Sequence, residues 1–83
     1  MNTLVRSPKQ IGVAIRKIRR AKDLNQTQLS ERAGLRQATV SNIENGDGAT
    51  RLATFCDVLA ALDLELIVRQ RTLSGAQDIE DIF

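Results

Sequence analysis

The chain has 83 residues and contains no histidine, tryptophan or tyrosine, a single cysteine and two phenylalanines. Without histidine it lacks the most common general base near neutral pH and the most common metal ligand. The lone Cys56 excludes a disulfide bond within the chain, and there is no glycine-rich phosphate-binding loop. These absences leave almost no support for an enzymatic function or a metal site. We therefore expect no catalytic residue and no cofactor.

The scarcity of aromatic residues and of long apolar runs excludes further classes of protein. Two phenylalanines provide no platform on which the bases of single-stranded RNA could stack. Apolar runs of only a few residues exclude a membrane-spanning helix and a signal peptide, so we expect a cytoplasmic protein. The length allows one small domain with a modest core, which a second chain could help to stabilise.

Charge is unevenly distributed along the chain, although its net value is only +2. Residues 1–36 contain nine of the twelve lysines and arginines and only two of the ten acidic residues. Residues 37–83 contain the remaining three basic and eight acidic residues. The basic half suits a polyanion and the acidic half suits a different partner, while a solvated charged surface is the alternative interpretation.

Capping residues and periodic apolar positions predict two helices in the first half. Ser7 caps the first helix, Pro8 occupies its first position, and it ends near Lys22. Its apolar positions recur at helical spacing: Ile11, Ala14 or Ile15, Ile18 and Ala21. Thr27 is the predicted cap of a short second helix, which Gly34 ends in the left-handed conformation.

The same signals predict two more helices and then a strand. A third helix runs from Gln37 to about Asn45 and is ended by Gly46, and Thr50 caps a fourth that extends to about residue 62. The predicted apolar stripe of the fourth helix consists of Leu52, Phe55, Cys56 and Leu59, widened by Val58 and Leu62. Residues 64–71 then alternate as in a strand, and residues 72–83 form a tail that is first polar and then acidic, ending in Ile82 and Phe83.

The most informative segment is residues 24–46, LNQTQLSERAGLRQATVSNIENG. Two short helices joined by a glycine-containing turn are typical of a helix-turn-helix, whose second helix enters the major groove of DNA. Four apolar side chains are expected to anchor the pair to the core: Leu29, Leu35, Val40 and Ile43. The outer face of the third helix then carries Gln37, Ala38, Ser41 and Asn42. Glutamine and asparagine can pair with adenine there, and a small apolar side chain can contact a thymine methyl group.

This segment resembles the Xre/Cro family, the helix-turn-helix of lambdoid phage repressors, over roughly residues 9–62. The motifs that carry the resemblance are LNQTQL at residues 24–29, Ala33-Gly34, and TVSNIENG at residues 39–46. The sequence departs from the family at Ser30, where alanine is usual, and at Arg36, where serine or threonine is usual.

The resemblance assigns roles to individual residues. It implies that Gln37, Ala38 and Asn42 contact base edges and that Gln26 and Thr39 contact phosphates. It also implies an ion pair between Arg19 and Glu44 that ties the first helix to the third. We add Ser41 and Arg36 as candidate base contacts, and Thr27, Gln28 and Arg36 as candidate phosphate contacts, because they lie at the predicted helix starts or on the outer face.

The layout beyond the fourth helix, together with RQATVSN at residues 36–42, resembles the HipB-type antitoxins. That resemblance implies a homodimer joined by a two-stranded sheet with one strand per chain, a palindromic double-stranded operator in the chain's own operon, and a HipA-type kinase toxin as partner. It also places the protein in the bacterial cytoplasm, on the nucleoid. The expected dimer residues are Leu64, Leu66, Val68, Val58 and Leu62, and the expected toxin-binding residues are Ile82 and Phe83.

We therefore expect a mainly α fold, a four-helix lambda-repressor-like domain with one C-terminal strand that pairs across a dimer. The expected segments are an N-terminal arm (1–7), the DNA-binding domain (8–62), the dimerisation strand (63–71) and an acidic tail (72–83). The leading hypothesis is a repressor that is also an antitoxin. Two alternatives stay open: a phage-type or stand-alone Xre-family regulator without a toxin, and an interaction module that mainly neutralises a partner.

Overall fold

The computed structural model describes residues 3–71, which form four helices. The helices are α1 (Pro8–Ala21), α2 (Gln26–Ala33), α3 (Gln37–Glu44) and α4 (Leu52–Ala61). Contacts between helices are most extensive for three pairs: α1 with α3, α2 with α3, and α2 with α4. The predicted four-helix architecture is confirmed. Within the described part of the chain, no helix is long and apolar enough to cross a membrane.

All four helices contribute to one apolar core. Its buried side chains are Ile15, Leu24, Leu29, Val40, Ile43, Val58, Leu59 and Leu62. Burying one such side chain contributes roughly 1.5–3 kcal/mol, so a core of this size is enough to hold a small domain together. The sequence left open whether Ala14 or Ile15 is the core-facing position of α1. Ile15 is that position, because it is buried while Ala14 is half-buried.

The start of α1 follows the prediction. The Ser7 Oγ accepts a hydrogen bond from the Gln10 backbone N–H at 3.1 Å, and Pro8 begins the helix. The Gln10 side chain reaches one residue farther back than a capping box requires, because its Oε1 accepts from the Arg6 backbone N–H at 2.6 Å. This links the last residues of the arm to the first turn of α1.

The cap of α2 is Asn25, so the prediction of Thr27 is wrong. The Asn25 Oδ1 accepts from the Gln28 backbone N–H at 2.7 Å, and the Gln28 Oε1 accepts from the Asn25 backbone N–H at 2.8 Å. These two bonds form a reciprocal capping box, which satisfies two backbone donors at once and so outcompetes a single threonine cap. The helix therefore begins at Gln26, and Thr27 lies exposed within its first turn.

Neither α3 nor α4 has a side-chain cap. Arg36 and Arg51 occupy the cap positions in extended conformation without capping hydrogen bonds. The prediction of Thr50 as the cap of α4 is wrong, because its Oγ1 donates to the Asp47 carbonyl at 3.5 Å instead. The predicted helix ends are confirmed at Gly34 and Gly46, whose φ angles of 71° and 88° lie in the left-handed region that glycine adopts readily.

The buried face of α4 differs from the predicted stripe. Cys56 and Leu52 are exposed, and Phe55 is half-buried, whereas Val58 and Leu62 are completely buried in the chain's own core. The buried positions follow the spacing of one helix face, and Cys56 lies about 100° from that face. Val58 and Leu62 therefore have no exposed surface in the single chain, and their assignment to a dimer interface stays a prediction.

Residues 64–71 contain no helix and no strand in the single chain. Leu64 packs partly against the core, while Leu66, Ile67 and Val68 are exposed, Val68 by 92%. Together with residues 3–6 and apolar side chains of α1 and α4, they line an open apolar groove of about 510 Å³. The strand, its dimer pairing and the domain boundaries remain predictions.

Candidate nucleic-acid interface

A tight turn joins α2 to α3, and the two helices pack against each other. Gly34 ends α2 in the left-handed conformation, and the Leu35 backbone N–H donates to the Ser30 carbonyl at 2.9 Å. Ser30 is buried, and its Oγ donates to the Thr27 carbonyl at 2.7 Å. The hydroxyl that replaces the usual alanine is thus satisfied inside α2, which explains why this departure is tolerated.

An ion pair between α1 and α3 lies behind the turn, as the family resemblance implied. The Arg19 Nε donates to the Glu44 Oε2 at 2.6 Å, and the Arg19 Nη2 donates to the Glu44 Oε1 at 3.0 Å. The Arg19 Nη1 also donates to the Leu24 carbonyl at 2.7 Å. Both side chains are buried, and every buried side-chain polar atom in the described residues has a partner. This two-point contact fixes the C-terminal end of α3 against α1.

Two further donors converge on the same carboxylate. The Gln26 Nε2 donates to the Glu44 Oε1 at 3.1 Å, and the Arg16 Nε approaches that oxygen at 3.4 Å. The Arg16 Nη2 also donates to the Asn45 Oδ1 at 3.2 Å. Glu44 therefore connects three helices through one buried group.

The pKa values of both partners respond to this environment. Burial alone would raise the pKa of Glu44, but hydrogen bonds from Arg19, Gln26 and Arg16 together with the charge of Arg19 lower that pKa below its ordinary value. The hydrogen bond and charge of Glu44 raise the pKa of Arg19 despite its burial. Both groups are therefore charged at neutral pH.

The backbones of α1 and α3 come close together at Gly12. A Cβ at this position would lie 2.5 Å from the carbonyl oxygens of both Ile43 and Glu44. Real Cβ atoms essentially never come that close to backbone, so only glycine permits this spacing. The sequence reading did not single out Gly12, since a glycine inside a helix pattern does not reveal which backbone it faces.

The outer face of the helix-turn-helix presents the predicted contact residues. Arg36, Gln37, Ala38 and Asn42 are exposed, and Ser41 and Thr39 are half-buried. On α2, Thr27 and Gln28 are exposed and Gln26 is half-buried. These nine residues, hereafter the α2–α3 face, lie in the first turn of α2, directly before α3 or on α3. The structure brings them together, but their contacts with DNA remain predictions.

One hydrogen bond crosses the α2–α3 face. The Gln37 Nε2 donates to the Gln26 Oε1 at 2.6 Å, so a predicted base contact and a predicted phosphate contact touch each other. The sequence motif placed both residues on this face but did not show that Gln26 joins Gln37 to Glu44. The expected toxin-binding residues Ile82 and Phe83 lie outside the described residues. No group of metal ligands is found within residues 3–71.

Comparison with known proteins agrees with this geometry. The chain matches the helix-turn-helix family (HTH_3) over residues 15–68. It is 37% identical over 60 residues to antitoxin HipB of Escherichia coli K12. The aligned region covers 72% of this chain and 68% of HipB.

Solved structures give the same result. HipB in the HipA-HipB-O2-O3 complex superposes with a TM-score of 0.77 at 32% identity, over 83% of this chain and 97% of that one. The restriction-modification controller protein C.AhdI of Aeromonas hydrophila superposes with a TM-score of 0.65 at 31% identity, over 70% of this chain and 84% of that one. The chain therefore belongs to the helix-turn-helix family of the Xre type.

Proposed function

We propose that the chain is a sequence-specific DNA-binding repressor that acts as the antitoxin of a HipA-type kinase toxin and represses its own operon. The observation that supports this most strongly is the α2–α3 face, whose amide, hydroxyl and methyl groups are exposed while a buried ion pair fixes α3 behind them. The relatives add the antitoxin role, because HipB, which is similar to this chain in both sequence and structure, is an antitoxin found in a complex with HipA.

In this proposal α3 reads bases from the major groove. Gln37 and Asn42 bind adenine through paired hydrogen bonds, Ala38 contacts a thymine methyl group, and Ser41 and Arg36 reach neighbouring base edges. All five side chains are at least partly exposed, four on α3 and that of Arg36 directly before it. A helix of eight residues is long enough to place its first two turns against three or four base pairs.

Contacts with phosphates orient the domain on the duplex. Gln26, Thr27 and Gln28 lie at the start of α2, and Arg36 and Thr39 lie at the start of α3, where backbone N–H groups also point toward a ligand. Such contacts fix register and affinity without reading sequence. The side chains of these five residues are at least partly exposed.

The proposed active form is a homodimer joined by residues 64–68. Leu64, Leu66 and Val68 would lie on one side of a strand that pairs with the same strand of a second chain. The exposed Leu66, Ile67 and Val68, and the apolar groove beside them, support this pairing because a lone strand with these side chains in water is unfavourable. Two-fold symmetry would then require a palindromic operator.

The test is a binding titration with the full chain and a labelled duplex from its own upstream region. A scrambled duplex of equal length and base composition is the control for non-specific attraction. We expect the upstream duplex to bind at least about a thousandfold more tightly than the scrambled one. Equal affinities would contradict sequence-specific repression.

The antitoxin role is tested separately. A kinase encoded beside this chain should co-purify with it and should be inactive in the complex. The controller protein C.AhdI favours a second candidate, a stand-alone transcriptional regulator of the same fold. Specific operator binding without a kinase partner would support that second candidate and exclude the antitoxin role.

A further inference from the structure

The open apolar groove is lined by both ends of the described chain. Residues 3–6 and residues 64–71 both line it, together with apolar side chains of α1 and α4. Among the latter, Ile11, Ile18 and Phe55 pack against the core but are only partly buried. The groove of about 510 Å³ therefore leaves one edge of the apolar core open to water in the single chain.

Pairing of residues 64–68 with a second copy would cover only part of the exposed apolar surface. Successive side chains of an extended segment point to opposite faces, so Leu64, Leu66 and Val68 share one face and Ile67 lies on the other. The side chain of Ile67 is 61% exposed. A two-stranded ribbon is also only marginally stable in water without a further strand or a helix to pack against. A stable dimer thus needs apolar contacts besides those between the two strands.

The N-terminal arm offers such a contact. Leu4 is 55% exposed, whereas the neighbouring Val5 is half-buried. The arm is fixed where it meets α1, because the Gln10 Oε1 accepts from the Arg6 backbone N–H at 2.6 Å. Within the described part of the chain, residues 3–5 make no backbone–backbone hydrogen bond, so their N–H and carbonyl groups can pair with a strand of another chain.

The charges of the segment after α4 favour a second copy as the occupant of the groove. An antiparallel pairing centred on Ile67 places Glu65 of one chain opposite Arg69 of the other, and Leu66 opposite Val68. Opposite charges and apolar side chains that face each other across two strands stabilise the pair. Glu65 and Arg69 are both exposed in the single chain, so both are accessible to a second copy.

We propose that the N-terminal arm is part of the homodimer interface, with residues 64–68 of a second copy lying in the groove. Any segment in this groove meets both of the segments that line it, so a strand paired with residues 64–68 also contacts the arm. Leu4 then covers Ile67 of the second copy. The proposal rests on the proposed function, since it assumes the dimer, and it adds the arm as a contact of that dimer.

The experiment measures the dissociation constant of the dimer by sedimentation equilibrium of the full chain in the absence of DNA. We expect Leu4→Glu to raise this constant about tenfold or more, because each dimer buries the Leu4 side chain twice. The matched control is Val13→Glu, since Val13 is 58% exposed and lies outside the groove. We expect the control to change the constant by no more than about twofold.

A second measurement distinguishes a contact between copies from a contact within one chain. The double variant Leu66→Glu, Val68→Glu provides the monomer, and Leu4→Glu is added to it. We expect the unfolding temperature to stay the same, because in the monomer Leu4 has lost no partner. A lower unfolding temperature would show that Leu4 stabilises its own chain, which would overturn the proposal.

Two further results would overturn the proposal in distinguishable ways. If the double variant is monomeric but Leu4→Glu dimerises as tightly as the unmodified chain, the proposed dimer stands and the arm is not part of it. An effect of Leu4→Glu on DNA affinity alone would then assign the arm to DNA. If the unmodified chain is monomeric, or the double variant still dimerises, the proposed dimer is itself wrong and the arm contact falls with it.

Discussion

Residues differ in how strongly the α2–α3 face depends on them, and this dependence is greatest for Glu44. Its carboxylate accepts from Arg19, Gln26 and Arg16 and is completely buried. Removing one partner of a buried ion pair leaves the other charge without compensation. Glu44 therefore matters for stability first, and for DNA binding through the position of α3.

The pH dependence of stability follows from the lowered pKa of Glu44. A carboxylate with a lower pKa in the folded state stabilises the fold above its ordinary pKa of 4.5, and that contribution is lost as the pH falls through the lowered value. We expect the free energy of unfolding to fall on acidification below about pH 4.5, measured by urea unfolding at several pH values.

Glu44→Gln removes this carboxylate and should lower the free energy of unfolding at pH 7 by about 3 kcal/mol. It should also flatten part of the acid dependence. Glu31→Gln is the matched control, because Glu31 is exposed and should change stability by less than about 0.5 kcal/mol. Equal effects of the two variants would show that the buried pair does not carry the stability assigned to it.

Asn42 allows a test of base reading that does not involve the hydrogen bond between Gln26 and Gln37. It is exposed on α3. Asn42→Ala should weaken binding to the preferred duplex by roughly 1–3 kcal/mol and relax the preference at one base pair. Isothermal titration with duplexes that differ at single positions measures both effects. An unchanged base preference would exclude Asn42 as a base contact.

At the scale of helices, the close approach of α1 to α3 requires that residue 12 be glycine, which has no Cβ. Gly12→Ala would place a Cβ 2.5 Å from the carbonyl oxygens of Ile43 and Glu44, so the helices must separate. We expect the free energy of unfolding to fall by about 1–3 kcal/mol, because backbone atoms cannot rotate out of the way. The neighbouring Val13→Ala, which changes an exposed side chain, is the control in the same urea titration. A Gly12→Ala variant as stable as Val13→Ala would contradict this spacing.

The helices could be predicted from sequence because their signals are local. Ser7, Pro8, Gly34 and Gly46 act within one turn, and all four have the predicted roles. The cap of α2 was also readable, since Asn25 and Gln28 have capping-box spacing, but Thr27 offered a competing signal.

Contacts between helices could not be predicted from the sequence. The exposure of Cys56 and the close approach at Gly12 depend on which face each helix turns toward its neighbours. The link from Glu44 through Gln26 joins residues that are far apart in sequence. The Arg19–Glu44 pair was available only through family resemblance, because nothing local connects two charges that lie 25 residues apart.

At the scale of the whole molecule, residues 64–68 decide the proposed assembly. Replacing both Leu66 and Val68 with glutamate would bring charges into the proposed strand pair, whereas the control Ala53→Glu adds a charge at an exposed position of α4. We expect sedimentation at micromolar concentration to show monomers for the double variant and dimers for the control and the unmodified chain. A double variant that still forms dimers would exclude this strand as the dimer contact.

The uneven charge of the chain predicts a strong response of DNA binding to salt. Most of the lysines and arginines precede residue 37 and would displace counterions from the duplex. With about six phosphate contacts, affinity should fall about a thousandfold between roughly 50 and 200 mM salt. A titration series at fixed pH measures the slope, and an affinity independent of salt would show that DNA is not the ligand.

The central claim is that DNA binds to the α2–α3 face. It is tested most directly by NMR titration of the ¹⁵N-labelled full chain with a duplex from its own upstream region. We predict that the largest chemical-shift changes occur at residues 26–28 and 36–42. Changes confined to residues 3–6 and 64–71, with residues 36–42 unaffected, would contradict it.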